Sequence, residues 1–380
     1  FDHGFDGQVF SADGQYLYVA SSSAASAVYQ FSSDDNWDSM TLNQVKTTQY
    51  SSPTAVQLAQ NGAYGTNVSQ SVYVSCALGF SGVPAYPLEL LDFSNDASIV
   101  IKAIEVEVAA DTARLNDSVF WIAKNSIFPE SFRYYSQRNL GFITGSLALG
   151  GVWHLQPATS SSNGANPMNF SAAEYFANDD LQFTLGLEID FQRNVMFVCH
   201  ANPNAFNLGV AGDLSVAASW NATYGFMGGV MVVDLDANEM IANFDFQDYN
   251  VDPSTPLFHL CNDIVIDSAG NAYATDSFGG AIYKISYDSS NSATPYSLSL
   301  FSYTDEWQVP GYIFFDGISM EPVNEEFVLV NGWINSDVSS YSSPILAGTS
   351  VLYKITMDAP MKPNMTTYTN IAAFDHGFDG

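Results

Sequence analysis

Apolar and polar positions alternate with period two along most of the chain, and the alternating runs come in short sets separated by turn residues. The clearest set is HLCNDIVIDSAGNAYATDSFGGAIYKIS, His259 to Ser286. In it IVID and NAYATDS predict two strands, SAGN the turn between them, and FGG the turn into a third strand, AIYKIS. The same order returns in FPESFRYYSQRNLGFITGSLALGGVWHL, Phe128 to Leu155, and in LGLEIDFQRNVMFVCH, whose third strand is delayed to GGVMVVDLD. FFDGISMEPVNEEFVLVNGW with SVLYKITM, and FDGQVFSADGQYLYVASSS with AVYQFS, are two more. SPTAVQLAQ with SVYVSCALG is a degraded sixth. Helix has little support beyond a short stretch near SAAEYFAND.

Six sets starting near residues 5, 52, 128, 184, 259 and 314 predict an all-β, six-bladed β-propeller, in which each sheet buries its faces against its neighbours around a central axis. A β-sandwich would also alternate, but it has no need of a similar leading residue at every repeat. The domain expected is a single propeller over 1–373.

Residues 374–380 repeat the first seven letters, FDHGFDG, and so read as the start of a next unit or as a linker between units. That repeat makes Phe1, Asp2, His3, Phe374, Asp375 and His376 the expected assembly residues, and copies of the chain itself, in a fibre or a tandem chain, the expected partners.

Composition narrows the function. Ten Lys and Arg stand against forty Asp and Glu, a formal charge of -30, which excludes a phosphate-neutralising surface for nucleic acid and disfavours anionic membranes. No apolar run reaches the roughly 18 to 20 residues of a spanning helix. The start lacks a basic segment followed by an apolar one, so the sequence reads as a mature chain or a piece of a longer one. Such acidity suits a secreted or cell-surface protein in a calcium-rich medium, and also suits solubility alone. N-linked glycans are expected at the sequons Asn67, Asn116, Asn169, Asn221 and Asn364. Three cysteines, Cys76, Cys199 and Cys261, allow one disulfide at most; Cys199 and Cys261 either meet where the fourth and fifth blades join or stay buried thiols.

In a propeller the residue that leads each innermost strand sits near the mouth of the axial channel. Aligned on the repeat, these residues are Asp6, Thr54, Glu130, Leu185, Asn262 and Asp316. Three carboxylates and a carboxamide aimed at one point would repel unless a hard cation took their oxygens, so a calcium ion held by Glu130, Asn262, Asp316 and Asp6 is the expected occupant.

FPESFRYYSQRNLGFITGSLALGGVW, HLCNDIVIDSAGNAYATDS and FFDGISMEP resemble motifs of the gluconolactonase/regucalcin-like six-bladed propellers, with paraoxonases and strictosidine synthase as more distant relatives. The similarity runs from Phe128 to Met357. It implies a metal ion, usually calcium, at the channel mouth, with Glu130 on the family's Glu, Asn262 on an Asn and Asp316 in a D-G pair. Asp316 stands where the family's cyclic order has Asn, and Glu130 lies in the third blade where the family's Glu lies in the first.

For hydrolysis such a metal would polarise a lactone or ester carbonyl, with a carboxylate or histidine as base. His259, three residues before Asn262, is the best-placed imidazole, and a core histidine is its competing role. His200 and His154 read as strand residues, and Asp267 and Asp276 as residues that serve turns. No nucleophile elbow, HExxH, P-loop, dinucleotide fingerprint or zinc spacing is present. Two functions are therefore expected: a structural glycoprotein repeated into a fibre, or a calcium-dependent lactonase or arylesterase.

Overall fold

A computed structural model describes residues 5–21, 27–38, 40–48, 53–58, 70–76, 86–93, 118–123, 127–135, 142–157, 169–210, 226–249, 258–291, 293–303, 313–335, 348–357 and 368–375. Among them are six four-stranded antiparallel units, each with its innermost strand first. The first holds β1 (Phe5–Phe10), β2 (Tyr16–Ser21), β3 (Ala27–Ser32) and β4 (Thr41–Thr47), and the second β5 (Pro53–Leu58), β6 (Ser71–Cys76), β7 (Tyr86–Asp92) and β8 (Ser118–Ala123). The third holds β9 (Phe132–Tyr134), β10 (Phe142–Gly145), β11 (Val152–Pro157) and β12 (Asn169–Phe176), and the fourth β13 (Phe183–Asp190), β14 (Val195–Ala201), β15 (Gly228–Asp234) and β16 (Glu239–Asp245). The fifth holds β17 (Cys261–Ile266), β18 (Ala272–Asp276), β19 (Ala281–Tyr287) and β20 (Tyr296–Tyr303), and the sixth β21 (Ile313–Met320), β22 (Phe327–Asn335), β23 (Gly348–Thr356) and β24 (Tyr368–Asp375). The first strands of successive blades touch around a closed ring, from β1 through β5, β9, β13, β17 and β21 back to β1. The protein is an all-β, six-bladed propeller.

Its core lies in the seams between blades, and the period-two alternation supplies both sides of each seam. Along β2, Leu17 and Val19 face Phe327, Leu329 and Leu352 of the sixth blade, while Tyr18 and Ala20 face Val56, Val72 and Leu91 of the second. At about 25 cal/mol per Å² of apolar surface, burying each large side chain contributes roughly 1.5–3 kcal/mol.

The seams are not alike. Between blades two and three the outer strands β8 and β12 pair in parallel, Trp121 with Asn169 and Ile122 with Phe170, so the two blades form one eight-stranded sheet. Between blades four and five a disulfide joins Cys199 of β14 to Cys261 of β17, with Cα atoms 5.0 Å apart, which decides between the two states open to these cysteines. Between blades six and one the ring closes through side chains. Gln8 Nε2 donates to the carbonyls of Gly317 (3.3 Å) and Leu329 (2.6 Å), Ser319 Oγ donates to Gln8 O (3.0 Å), and Lys354 Nζ reaches Asp38 Oδ1 (2.6 Å).

Two expectations change. SAAEYFAND is not helical: it supplies β12, because pairing with β11 and the inward Phe170 and Phe176 outweigh the helix propensity of its Ala and Glu. The helix α1 (Pro203–Val210) lies instead in the connection between β14 and β15. At the C-terminal end β24 runs to Asp375, and Phe374 pairs with Ser350 and Asp375 with Thr349, which carries the sixth blade two residues past the boundary expected at 373. Phe1, Asp2, His3 and His376 lie outside the described residues. No helix among the described residues is long and apolar enough to cross a membrane.

Candidate functional site

The innermost strands share one local device. In five of the six blades the pairing register slips just past the start of the strand: between Phe5 and Gln8, Pro53 and Ala55, Thr184 and Leu187, Cys261 and Ile264, and Phe315 and Ile318. A β-bulge leaves extra residues out of the ladder and re-aims their side chains. The residues so released are Thr54 alone and Asp6, Leu185, Asn262 and Asp316 each with the residue that follows it, and these five are positions that the repeat aligned. In the third blade the counterpart, Glu130, lies two residues before the start of β9.

The bulges open onto a pocket at the channel mouth, with about 340 Å³ of empty space, part of it continuous with solvent. Glu130, Asn262 and Asp316 line it together with Gly7, Arg133, Gly186, Asp263 and Gly317. Three of the four expected cation donors, from blades three, five and six, thus line one pocket. Asp6 lies on β1 beside the lining Gly7, and its side chain is outside the described residues. Gly186 is there by necessity: a Cβ on it would stand 2.5 Å from Asn262 O and 2.5 Å from Asp263 Cα.

Three residues at the end of β18 position two of the donors. Ser277 Oγ accepts from Asn262 Nδ2 (3.0 Å) and donates to Phe315 O, next to Asp316. Thr275 Oγ1 donates to Asp316 O (2.8 Å) and accepts from Asp263 N (3.0 Å). With its amide nitrogen engaged by Ser277, Asn262 presents Oδ1 as the atom left for a ligand. Asp276 accepts from the backbone N–H groups of Leu260 and Gly279, both at 3.0 Å, and its Oδ2 lies 2.5 Å from His259 Nδ1.

His259 therefore sits behind the pocket rather than in its lining. It is buried, and its Nε2 has no hydrogen-bond partner among the described residues. The carboxyl of Asp267 accepts from Asn271 N (2.7 Å) and from Tyr273 OH (3.0 Å), the turn role expected of it. His200 is buried between Asp180 O (3.0 Å) and Asn243 Oδ1 (2.9 Å), and burial, opposed by those contacts, lowers its pKa to about 4. His154 is buried in β11, 6.3 Å from the ring of Tyr175. Of the sequons, Asn169 lies on β12, and Asn67, Asn116, Asn221 and Asn364 lie outside the described residues.

Arg133 is the feature that the sequence did not announce. From β9 its Nε donates to Glu188 Oε2 of β13 (2.8 Å), its Nη1 donates to Phe132 O (2.9 Å), and its Nη2 lies 3.9 Å from Asp263 Oδ1 of β17. One guanidinium so bridges three consecutive blades at the pocket. Burial opposes its charge, but Glu188 and Asp263 outweigh burial and hold its pKa above the ordinary value. Burial also raises the pKa of Asp263, against the pull of Arg133 and of the Ile264 and Ile318 N–H groups. No local motif marks this trio, because each member comes from a different blade.

The lining carries the carboxyls of Glu130, Asp263 and Asp316 against a single guanidinium, an acceptor-rich set that suits a hard cation. Among the described residues no three of His, Cys, Asp or Glu cluster closely enough to hold a metal by themselves. A cation here would accordingly draw on both carboxylate and carboxamide oxygens.

No family model matches the chain, and no curated protein sequence does. In fold it is similar to a luciferin-regenerating enzyme, at 11% identity and a TM-score of 0.51 over 96% of both chains. It is also similar to the PQQ-bound form of an aldose sugar dehydrogenase from Streptomyces coelicolor, at 10% identity and a TM-score of 0.50 over 89% of this chain and 90% of that one. At such identities the likeness shows a shared propeller fold.

Proposed function

We propose that the protein is a divalent-cation-dependent hydrolase of the lactonase or esterase kind, acting at the channel mouth. One observation carries this reading: bulged strands from blades five and six and the lead of the third bring Asn262, Asp316 and Glu130 to one open pocket, with the amide nitrogen of Asn262 tied away from it. The resemblance to gluconolactonase/regucalcin-like motifs points the same way, and the two solved neighbours are enzymes by name, though neither name is that of a hydrolase. The fibre reading lost part of its motive when Phe374 and Asp375 were found paired within their own ring.

Glu130, Asn262 and Asp316 would hold the cation, with calcium as the natural choice for an all-oxygen set. Bound there, it supplies Lewis-acid polarisation of an acyl carbonyl. Water adds to the acyl carbon, the bond from that carbon to the ester oxygen breaks, and a hydroxyl, a carboxylate and a proton result. Asp263, the lining carboxylate outside the donor set, is placed to take the proton of the attacking water. His259 serves as a positioning residue: through Asp276 it fixes the segment that leads to Asn262. The Cys199–Cys261 disulfide supports an extracellular location.

The test is a calcium titration by calorimetry together with turnover of a simple lactone and an aryl ester. Glu130→Gln should weaken calcium binding at least about tenfold, roughly 1.4 kcal/mol, and should lower turnover in parallel. Absence of calcium binding at millimolar concentration would overturn the proposal.

A further inference from the structure

The guanidinium of Arg133 lines the same pocket and has one nitrogen to spare. Nε is committed to Glu188 and Nη1 to Phe132 O, and both bonds fix the plane of the group. Among the described residues Nη2 makes no hydrogen bond; its one ionic neighbour there, the Asp263 carboxylate, stands 3.9 Å away, beyond hydrogen-bonding distance. The side chain is 14% exposed, so most of its desolvation has been met on folding. A locked, largely desolvated guanidinium with a free N–H edge in a pocket is a preorganised donor for a planar oxyanion.

We propose that Arg133 is a carboxylate-binding residue of this pocket, donating to the carboxylate that hydrolysis releases when Glu130, Asn262 and Asp316 hold a cation. This inference rests on the hydrolase reading above. Charge makes the binding conditional. Glu130, Asp263 and Asp316 repel an anion from the bare pocket, whereas a divalent cation beside Glu130 and Asp316 reverses that field. Carboxylate and cation therefore bind together, and linkage requires each to tighten the other by the same factor.

The experiment measures calcium affinity by calorimetry in sodium acetate and in sodium chloride of equal ionic strength, with 4-hydroxybutyrate as a second carboxylate. For the wild type, carboxylate should tighten calcium binding about fivefold or more, within the usual range of coupling between sites. Arg133→Lys can still pair with Glu188 but has no second N–H edge, so the coupling should fall to the part that the cation's charge alone supplies, while calcium binding in chloride persists. The double variant Arg133→Gln with Glu188→Gln removes one charge of each sign, which avoids leaving Glu188 unpaired, and should behave likewise.

A purely structural role for Arg133 would weaken calcium binding in chloride as well, so the two readouts separate ligand contact from scaffolding. Coupling that stays at the wild-type value in both variants overturns the inference. So does a wild type that binds calcium without any response to carboxylate. A wild type that binds no calcium fails at the cation, a result that removes the hydrolase reading and this inference with it.

Discussion

Gly186→Ala probes the seam on which the site depends. A Cβ at this position would stand 2.5 Å from Asn262 O, 2.5 Å from Asp263 Cα and 2.8 Å from Asp263 Oδ1. Ordinary contact begins near 3.4 Å, so the fifth blade's backbone must retreat by about 0.9 Å. It cannot retreat freely, because Cys261, next to Asn262, is tied by its disulfide to the fourth blade, which also carries Gly186. Overpacking of this kind costs about 1–3 kcal/mol, and opposition by backbone rather than a flexible side chain places it at about 3 kcal/mol. A shift near 1 Å in Asn262 also spoils the donor set, at a cost on the order of 10² in rate. Urea denaturation and calcium titration of the same variant give both numbers.

Gly14→Ala is the control. It sits at φ 70°, where a Cβ meets the partly exposed Val323 side chain at 3.3 Å, so it should lose about 1 kcal/mol from backbone conformation and leave calcium binding unchanged. If Gly186→Ala stays within about 1 kcal/mol of the wild type and binds calcium equally, the seam does not position the donors.

Other outcomes follow from the same coordinates. Because His200 has a pKa of about 4 in the fold against 6.5 outside it, the unfolded chain takes up the proton first. Its contribution is complete above pH 6.5 and falls by about 3 kcal/mol as the pH drops to 4, so His200→Asn should flatten the acid limb of the stability curve; an unchanged limb would refute the assignment. Replacing Cys199 and Cys261 by Ser, across a separation of 62 residues, should cost about 4 kcal/mol by urea denaturation, and a loss under about 1 kcal/mol would show that the disulfide does not constrain the seam. With a charge of -30, the thermal midpoint should rise as salt increases from about 10 mM to about 1 M and the Debye length shrinks from about 30 Å to about 3 Å. A falling midpoint would mean that ion pairs, not repulsion, dominate the surface.

The blades were legible because a strand buried between two neighbours writes its register into its own letters: YLYVAS sends Leu17 and Val19 one way and Tyr18 and Ala20 the other. Glu130, Asn262 and Asp316 were legible because the bulge that frees them repeats with the blade. SAAEYFAND misled for the opposite reason, since its conformation is dictated by β11 and not by its own propensities. Arg133, Glu188 and Asp263 stayed hidden because what makes them a group is the closure of the ring. Asp263 was in view inside the N-D pair, but only the fold shows it reaching Ile318 N of the next blade (3.1 Å) and approaching Arg133.

The join between the sixth and first blades differs in kind from two of the others. Backbone pairing ties blades two and three, and a covalent bond ties four and five, whereas six and one meet through Gln8, Ser319, Lys354 and apolar side chains. Both sheets at that join keep every ladder bond if they move apart. Thermal breathing there breaks no ladder bond, and exchange of the Gln8 side-chain amide, which donates to the carbonyls of Gly317 and Leu329, should register the loosening. The hinge would open beside Asp316 while Asn262 stays anchored by its disulfide-bonded neighbour, so a rigid half and a yielding half would meet at the pocket rim.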